Sequence, residues 1–209
     1  MIKILVADDH PIVRQGLTKI LAETNDIVVS GEAGDGQTTL QMVSSNDYDV
    51  VLLDISMPGG GGLEILNKLK TIKPHLSVLV LSMHPEEQYA VRALQLGASG
   101  YLTKGSAPDE LIAAIRRVSE GRKYLSPVLA EKLAFDIGVH HRSAPHEALS
   151  NREFQIMCLI ASGKTVRDIS NDLCLSVKTV STYRSRVLQK MDISNNALLT
   201  SYAIRNNLV

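Results

Sequence analysis

Five short apolar runs punctuate the first half of the chain: IKILVA from Ile2, DIVVSGEA from Asp26, DVVLLDI from Asp49, SVLVLSM from Ser77 and GYLT from Gly100. Between them lie segments with helical spacing, for instance Val13, Leu17, Ile20 and Leu21, then Ile65, Leu66 and Leu69, then Val91, Leu94 and Leu96, then Leu111, Ile112, Ile115 and Val118. A strand that is apolar on both faces has to be covered on both faces. Such strands alternating with amphipathic helices call for a parallel sheet with helices on each side, so the spacing predicts an α/β fold, a doubly wound (βα)5 unit.

After roughly Gly121 the strand pattern stops. From Arg142 to Leu149 the chain reads RSAPHEAL, where a proline and few large apolar residues break any regular period, a composition that suits a linker. Pro127 to Ile137 carries an apolar spacing that continues or replaces a helix. Beyond it the spacing predicts four short helices, Asn151–Ser162, Val166–Leu173, Val177–Met191 and Asn195–Asn206. The expected division is therefore 1–121 for the α/β unit, 122–146 for a linker and 147–209 for a small all-α unit.

Net charge is zero over 209 residues, with 44% hydrophobic and 21% charged residues, an ordinary globular composition. The charge is unevenly spread. Met1 to Val118 holds 10 basic and 14 acidic residues, a balance of −4, whereas Ala148 to Val209 holds 8 and 4, a balance of +4. A polyanion partner is thus expected at the C-terminal end only. The two cysteines, Cys158 and Cys174, have no metal-type spacing and make no disulfide framework. No apolar run approaches the ~20 residues that a membrane span needs, and MIKILVA meets Asp8 too early for a signal peptide. A cytoplasmic protein is expected.

Ligands bind open parallel sheets at the carboxyl ends of the strands. Asp8 and Asp9 follow the first run and Asp54 ends the third. Carboxylates gathered there repel one another unless a hard divalent cation joins them, and Mg2+ favours such an oxygen-rich, partly hydrated site. Ser82 ends the fourth run with a hydroxyl. Lys104 follows the fifth with an ammonium able to pair with a carboxylate or a phosphoryl group. Taken singly, each has a plainer explanation: a strand-terminal Asp is often a helix N-cap, Ser82 a structural hydroxyl, Tyr101 a half-buried packing residue, and His10 and Arg14 solvated neighbours on the first helix.

Taken together, DD, then D followed by MP, then S, then YLTK resembles the receiver domain of two-component response regulators over Met1 to about Gly121. The resemblance implies that Asp54 accepts a phosphoryl group from a sensor histidine kinase. Asp9, Asp54 and the backbone carbonyl of Ser56 would hold Mg2+ directly, with Asp8 acting mainly through water. Ser82 and Lys104 would bind the phosphoryl oxygens, and Tyr101 would change rotamer with Ser82. Two features depart from the family: SMPGGGGLE after Asp54 has four glycines, which predicts a pliable loop, and Gly105 replaces the proline that follows the lysine in many receivers.

In the second half, Val177, Val180, Val187, Leu188 and Met191 share one side of a helix at 100° per residue. Lys178, Thr182, Ser185 and Gln189 lie opposite, flanked by Ser181 and Arg186. A short helix and the turn CLS precede it, with Ser176 as N-cap, an arrangement that makes a helix-turn-helix. LSNRE, a glycine before the scaffold helix and KTV opening the second helix resemble the LuxR/NarL-type DNA-binding domain. By that resemblance Ser181, Thr182 and Ser185 face bases, while Lys178, Thr179, Arg186 and Lys190 contact phosphates. Arg184, at the edge of the apolar stripe, is expected to be structural, paired to an acid such as Glu153. Leu198, Leu199, Tyr202, Ala203 and Ile204 form either a dimer surface or the closure of a small core.

The joint implication is a transcription regulator in which phosphorylation of Asp54 switches homodimerisation and binding to double-stranded promoter half-sites. The weighed alternatives are a Mg2+-dependent phosphohydrolase with an aspartyl nucleophile and a receiver that is never phosphorylated.

Overall fold

The computed structural model describes residues 1–57, 61–131 and 144–209. It divides into two compact units, Met1–Ala130 and Glu131–Val209, each with its own core.

In the first unit all five apolar runs are strands: β1 (Ile2–Ala7), β2 (Ile27–Ala33), β3 (Val50–Asp54), β4 (Ser77–Ser82) and β5 (Gly100–Thr103). They form one parallel sheet in the order β2-β1-β3-β4-β5. Helices α1 (Pro11–Ala22), α2 (Gly36–Ser45), α3 (Gly62–Ile72), α4 (Glu86–Gln95) and α5 (Pro108–Ser119) connect them. Every residue of β3 and β4 is buried, which is why those runs are continuous, whereas the edge strand β2 alternates and carries Ser30, Gly31 and Glu32. The core sets Ile4, Val6, Leu52, Leu79 and Leu102 of the sheet against Leu111, Ile115 and Val118 of α5. Each such side chain contributes ~1.5–3 kcal/mol through its burial.

Chain order fixes where a site can form. From β1 the chain crosses first to β2 on one side and then to β3 on the other, so the strand order reverses between β1 and β3 and opens a crevice at their carboxyl ends.

Beyond Gly121 the chain remains with this unit as far as Ala130. The Tyr124 amide donates to the Ser99 carbonyl at 2.9 Å, and Leu129 is buried. Of the four glycines expected to be pliable, Gly59 and Gly60 lie outside the described residues. The other two have fixed roles. Gly61 caps α3 with φ +75°, and a Cβ on Gly62 would sit 2.2 Å from the Cα of Ile55. The first answers a left-handed conformation, the second a close backbone approach.

The second unit contains α6 (Asn151–Ala161), α7 (Val166–Asp172), α8 (Val177–Lys190) and α9 (Asn196–Arg205). Each start is set by a side-chain cap: Ser176, as expected, and also Ser150 with Glu153, Thr165 with Asp168, and Asn195. Phe154, Met157, Ile169, Val180, Val187 and Leu199 fill the core. Val177, expected on the buried stripe, is 52% exposed because it opens α8 before that helix meets its neighbours.

Part of the expected linker is folded. Pro145–Ala148 forms a 3-10 turn, Leu149 is buried, and His146 Nδ1 lies 2.7 Å from the Tyr202 hydroxyl. Residues 132–143 lie outside the described residues. Cys158 is buried and Cys174, between α7 and α8, is exposed with φ +51°. Among the described residues no helix is long and apolar enough to cross a membrane.

Candidate functional site

Ala7 pairs with Leu53 across β1 and β3, so the next residues, Asp8 and Asp54, stand side by side at the crevice. Both are 1% exposed. Lys104 reaches them from the end of β5: its Nζ donates to Asp54 Oδ2 at 2.7 Å and lies 2.6 Å from Asp8 Oδ2. One ammonium therefore serves two buried carboxylates. The Ser56 amide donates to Asp54 Oδ1 at 2.8 Å.

The electrostatics follow first from burial and then from that shortage of positive charge. Burial pushes the Asp54 carboxyl above its ordinary value, and neighbouring Asp8 adds to this, while Lys104 and the Ser56 amide oppose. Burial pulls Lys104 down, but Asp54 and Asp8 together more than offset it, leaving its ammonium held above its ordinary value.

The residues present fit a divalent cation. Asp8, Asp9, His10 and Asp54 offer ligand atoms within 4.8 Å of one another. Asp8 Oδ2 and Asp9 Oδ1 are buried carboxylate oxygens with ion-pair contacts to Lys104 Nζ at 2.6 Å and His10 Nδ1 at 2.9 Å, and as hard oxygen donors they keep acceptor capacity for a metal.

Ser82 is fully buried and its Oγ accepts from the His84 amide at 3.0 Å. Tyr101 is fully buried too, and its hydroxyl donates to the His84 carbonyl at 2.9 Å. The two expected switch residues are thus joined through the backbone of His84, a residue the sequence did not single out. Its imidazole also packs on Tyr89, with ring centroids 5.0 Å apart.

Two neighbours of Asp8 do more than expected. Arg14, expected as a surface cation, has a side chain only 18% exposed and donates from Nη1 to the Asp8 carbonyl at 2.6 Å. The cause is α1, which begins at Pro11 and turns that side chain back over the end of β1. His10, expected to be solvated, keeps a 61% exposed ring but places Nδ1 2.9 Å from Asp9 Oδ1 and 3.2 Å from Asp8 Oδ1.

In the second unit α7 and α8 are joined by the turn around Cys174, and Ser176 Oγ accepts from the Thr179 amide at 3.0 Å. Lys178, Ser181, Thr182, Ser185 and Arg186 are exposed together on α8, with Thr179 half-buried. Thr182 and Ser185 donate to the carbonyls of Lys178 and Ser181 four residues back. Their oxygens remain open to donors from outside.

The ion pair expected of Arg184 is made by a different residue. Lys190 Nζ donates to Glu153 Oε2 at 2.7 Å, and Arg184 Nε donates instead to Asn196 Oδ1, also at 2.7 Å. Arg184 sits where α8 meets the start of α9, whereas Lys190, at the end of α8, lies over the capping box of α6.

Residues 4–116 match the response regulator receiver domain, and residues 147–203 match the luxR family of bacterial regulatory proteins. The chain is 41% identical over 210 residues to the response regulator GacA of Pseudomonas aeruginosa, spanning 100% of this chain and 98% of that one. RcsB from Salmonella enterica serovar Typhimurium, bound to promoter rprA in the presence of phosphomimetic BeF3−, superposes with a TM-score of 0.67. It shows 29% identity over 97% of this chain and 98% of that one. A structure of two RcsB dimers bound to two parallel DNAs gives a TM-score of 0.60, with 28% identity over 97% of this chain and 98% of that one.

Proposed function

Because the chain belongs to the two-component response regulators with a LuxR-type DNA-binding domain, we propose that its control point is Asp54, phosphorylated by a sensor histidine kinase. It is a DNA-binding regulator of transcription and not an enzyme.

The observation that carries the assignment is the shared ammonium: Lys104 lies 2.7 Å from Asp54 and 2.6 Å from Asp8, both buried at the switch point of the sheet. A carboxylate oxygen of Asp54 attacks the phosphorus of a phosphohistidine. The nitrogen–phosphorus bond breaks, its electron pair returns to the imidazole, and an aspartyl phosphate forms. Asp9, Asp54 and the Ser56 carbonyl would hold Mg2+, with Asp8 acting through water, and the charge neutralisation such an ion supplies would act on the transferred group. Lys104 pairs with the new anion, and Ser82 turns its hydroxyl from the His84 amide toward a phosphoryl oxygen. That turn frees the His84 backbone, and with it the contact that holds Tyr101 in its buried rotamer.

The readout is α8. Ser181, Thr182 and Ser185 face bases as acceptors, while Lys178, Thr179 and Arg186 take phosphates. The phosphorylated chain pairs with a second copy and binds promoter half-sites ~34–36 Å apart. RcsB, bound to promoter DNA and seen as DNA-bound dimers, supports this reading. A cytoplasmic location goes with it.

Incubation with acetyl phosphate and Mg2+, followed by intact mass measurement, tests the assignment. A single phosphoryl adduct, lost in Asp54→Ala and accompanied by tighter binding to promoter DNA, is expected. An adduct that survives Asp54→Ala, or none at all, refutes it.

A further inference from the structure

β5 is an edge strand of the sheet, and the chain that leaves α5 is laid along it: Tyr124 pairs in parallel with Gly100 on the open side of β5. Residues 123–130 thus form a strap on the receiver. We propose that this strap is a gated tether, held on the unphosphorylated receiver through a contact between Glu86 and Ser126 and released when Asp54 is phosphorylated. This rests on the assignment of Asp54 as the phosphoryl acceptor.

One end of the strap is fastened to backbone. The Tyr124 amide donates to the Ser99 carbonyl at 2.9 Å, Lys123 Nζ donates to the Ala98 carbonyl at 2.5 Å, and Arg117 Nε donates to the Lys123 carbonyl at 2.9 Å. The Tyr124 hydroxyl donates to Glu110 Oε1 at 2.9 Å; burial, then Glu110, pushes it up to about 12, so it stays a donor at any working pH. Gly100 accommodates the strap, because a Cβ there would sit 2.8 Å from the Tyr124 carbonyl oxygen and 3.0 Å from its Cβ.

The other end is held through Ser126. Its Oγ donates to Glu86 Oε2 and accepts from the Leu129 amide at 3.1 Å, which caps the helical turn 127–131. Glu86 opens α4 and stands two residues beyond His84, whose amide and carbonyl hold the Ser82 and Tyr101 side chains. Pro85, between them, has φ −59° and little freedom to absorb a movement, so a shift of the His84 backbone carries Glu86 with it. The switch therefore meets the strap at this carboxylate. Release of residues 123–130 lengthens the connection to the helical unit by up to about 26–29 Å, at ~3.3–3.6 Å per residue, a reach comparable with the ~34–36 Å between half-sites.

The test uses the full chain with acetyl phosphate and Mg2+, hydrogen exchange over residues 124–130, and a DNA duplex selected from a random pool by the phosphorylated protein. In wild type the amides of Tyr124, Leu129 and Ala130 are expected to exchange ~10-fold faster once the adduct forms, and in Asp54→Ala to stay slow. Ser126→Ala placed in the Asp54→Ala background should exchange fast with no phosphoryl group present and bind the duplex about fivefold more tightly than Asp54→Ala alone, the lower end of ordinary coupling between sites. Glu86→Gln, which keeps an acceptor and loses the charge-assisted bond, should fall between the two.

An adduct on wild type that leaves exchange over residues 124–130 unchanged overturns the gate and spares the Asp54 assignment. So does slow exchange in Ser126→Ala, or fast exchange there with duplex affinity unaltered, because the strap would then be packing alone. Absence of any adduct on wild type refutes the Asp54 assignment and the gate with it.

Discussion

Two lysine–carboxylate contacts, one in each unit, have the same 2.7 Å length and opposite electrostatic outcomes. In the receiver, Lys104 meets Asp54, whose carboxyl is pushed above its ordinary value; in the helical unit, Lys190 meets Glu153, whose carboxyl is held below it. Burial is the largest influence on both and opposes ionisation in both, but at Asp54 it outweighs the hydrogen bonds whereas at Glu153 the hydrogen bonds outweigh it. Supply adds to the difference. Asp54 shares one ammonium with Asp8, both acids being 1% exposed. Glu153 has Lys190 and the Ser150 amide to itself. A satisfied pair is a fastener, whereas an undersupplied one is a place where a cation or a phosphoryl group changes the energy most.

The largest predicted effect therefore belongs to Lys104. Lys104→Met leaves two buried carboxylates without a cation and is expected to cost about 3–5 kcal/mol in urea unfolding of the metal-free protein. Added Mg2+ should recover part of that loss. A cost below about 1 kcal/mol would mean that the pocket does not depend on Lys104 for its charge balance, and the contrast with Glu153 would collapse.

Glu153→Ala comes next. It removes both the capping box of α6 and the partner of Lys190, for an expected loss of about 1–2 kcal/mol, read by hydrogen exchange in α6. The pH dependence sharpens the comparison because the signs differ. Glu153 has a lowered folded-state value, so its contribution is complete above the ordinary carboxylate range and is lost as pH falls through the folded value. Asp54 has a raised value, so the folded state binds the extra proton. Its ionisation costs stability as pH rises from the ordinary value to the raised one. In a descending acid titration, exchange in α6 should accelerate while the Asp54 contribution to protection of β3 grows. The same sign in both units would break the distinction.

Much of this contrast was visible before any coordinates. The five apolar runs mark the strands because buried parallel strands have no polar face, and the order of the runs already brings Asp8, Asp54, Ser82 and Lys104 to one edge. Ser176 was legible as a cap because it acts through a neighbour three residues away; Ser150, Thr165 and Asn195 prove to start their helices in the same way. What escaped was whatever depends on long side chains reaching across elements. Arg14 has helical spacing on the outer face of α1 yet turns back to the Asp8 carbonyl. His84 acts through its backbone, which no residue type advertises. The partner of Glu153 was expected to be Arg184, but Lys190 lies over the α6 cap while Arg184 turns to Asn196.

The smallest predicted effect is the one that divides the cations of α8 between fastening and DNA contact. Lys178 and Arg186 are exposed on the face with Ser181, Thr182 and Ser185, whereas Lys190 closes the helix and its ammonium already has a partner. Recognition helices enter the groove with their N-terminal residues, so Lys190 is also the cation farthest along α8 from that end. Each phosphate contact contributes about 0.9 to the slope of log affinity against log salt. Arg186→Ala should therefore reduce that slope by about 1 and leave stability within about 0.5 kcal/mol. Lys190→Ala should leave the slope unchanged and cost about 0.5 kcal/mol, because its side chain is 43% exposed and the pair is screened. Fluorescence anisotropy with promoter DNA over a salt series reads both. A slope that falls for Lys190→Ala as it does for Arg186→Ala would show that Lys190 leaves Glu153 for a phosphate, and the Glu153 pair would then belong with the receiver's exchangeable contacts instead of standing against them.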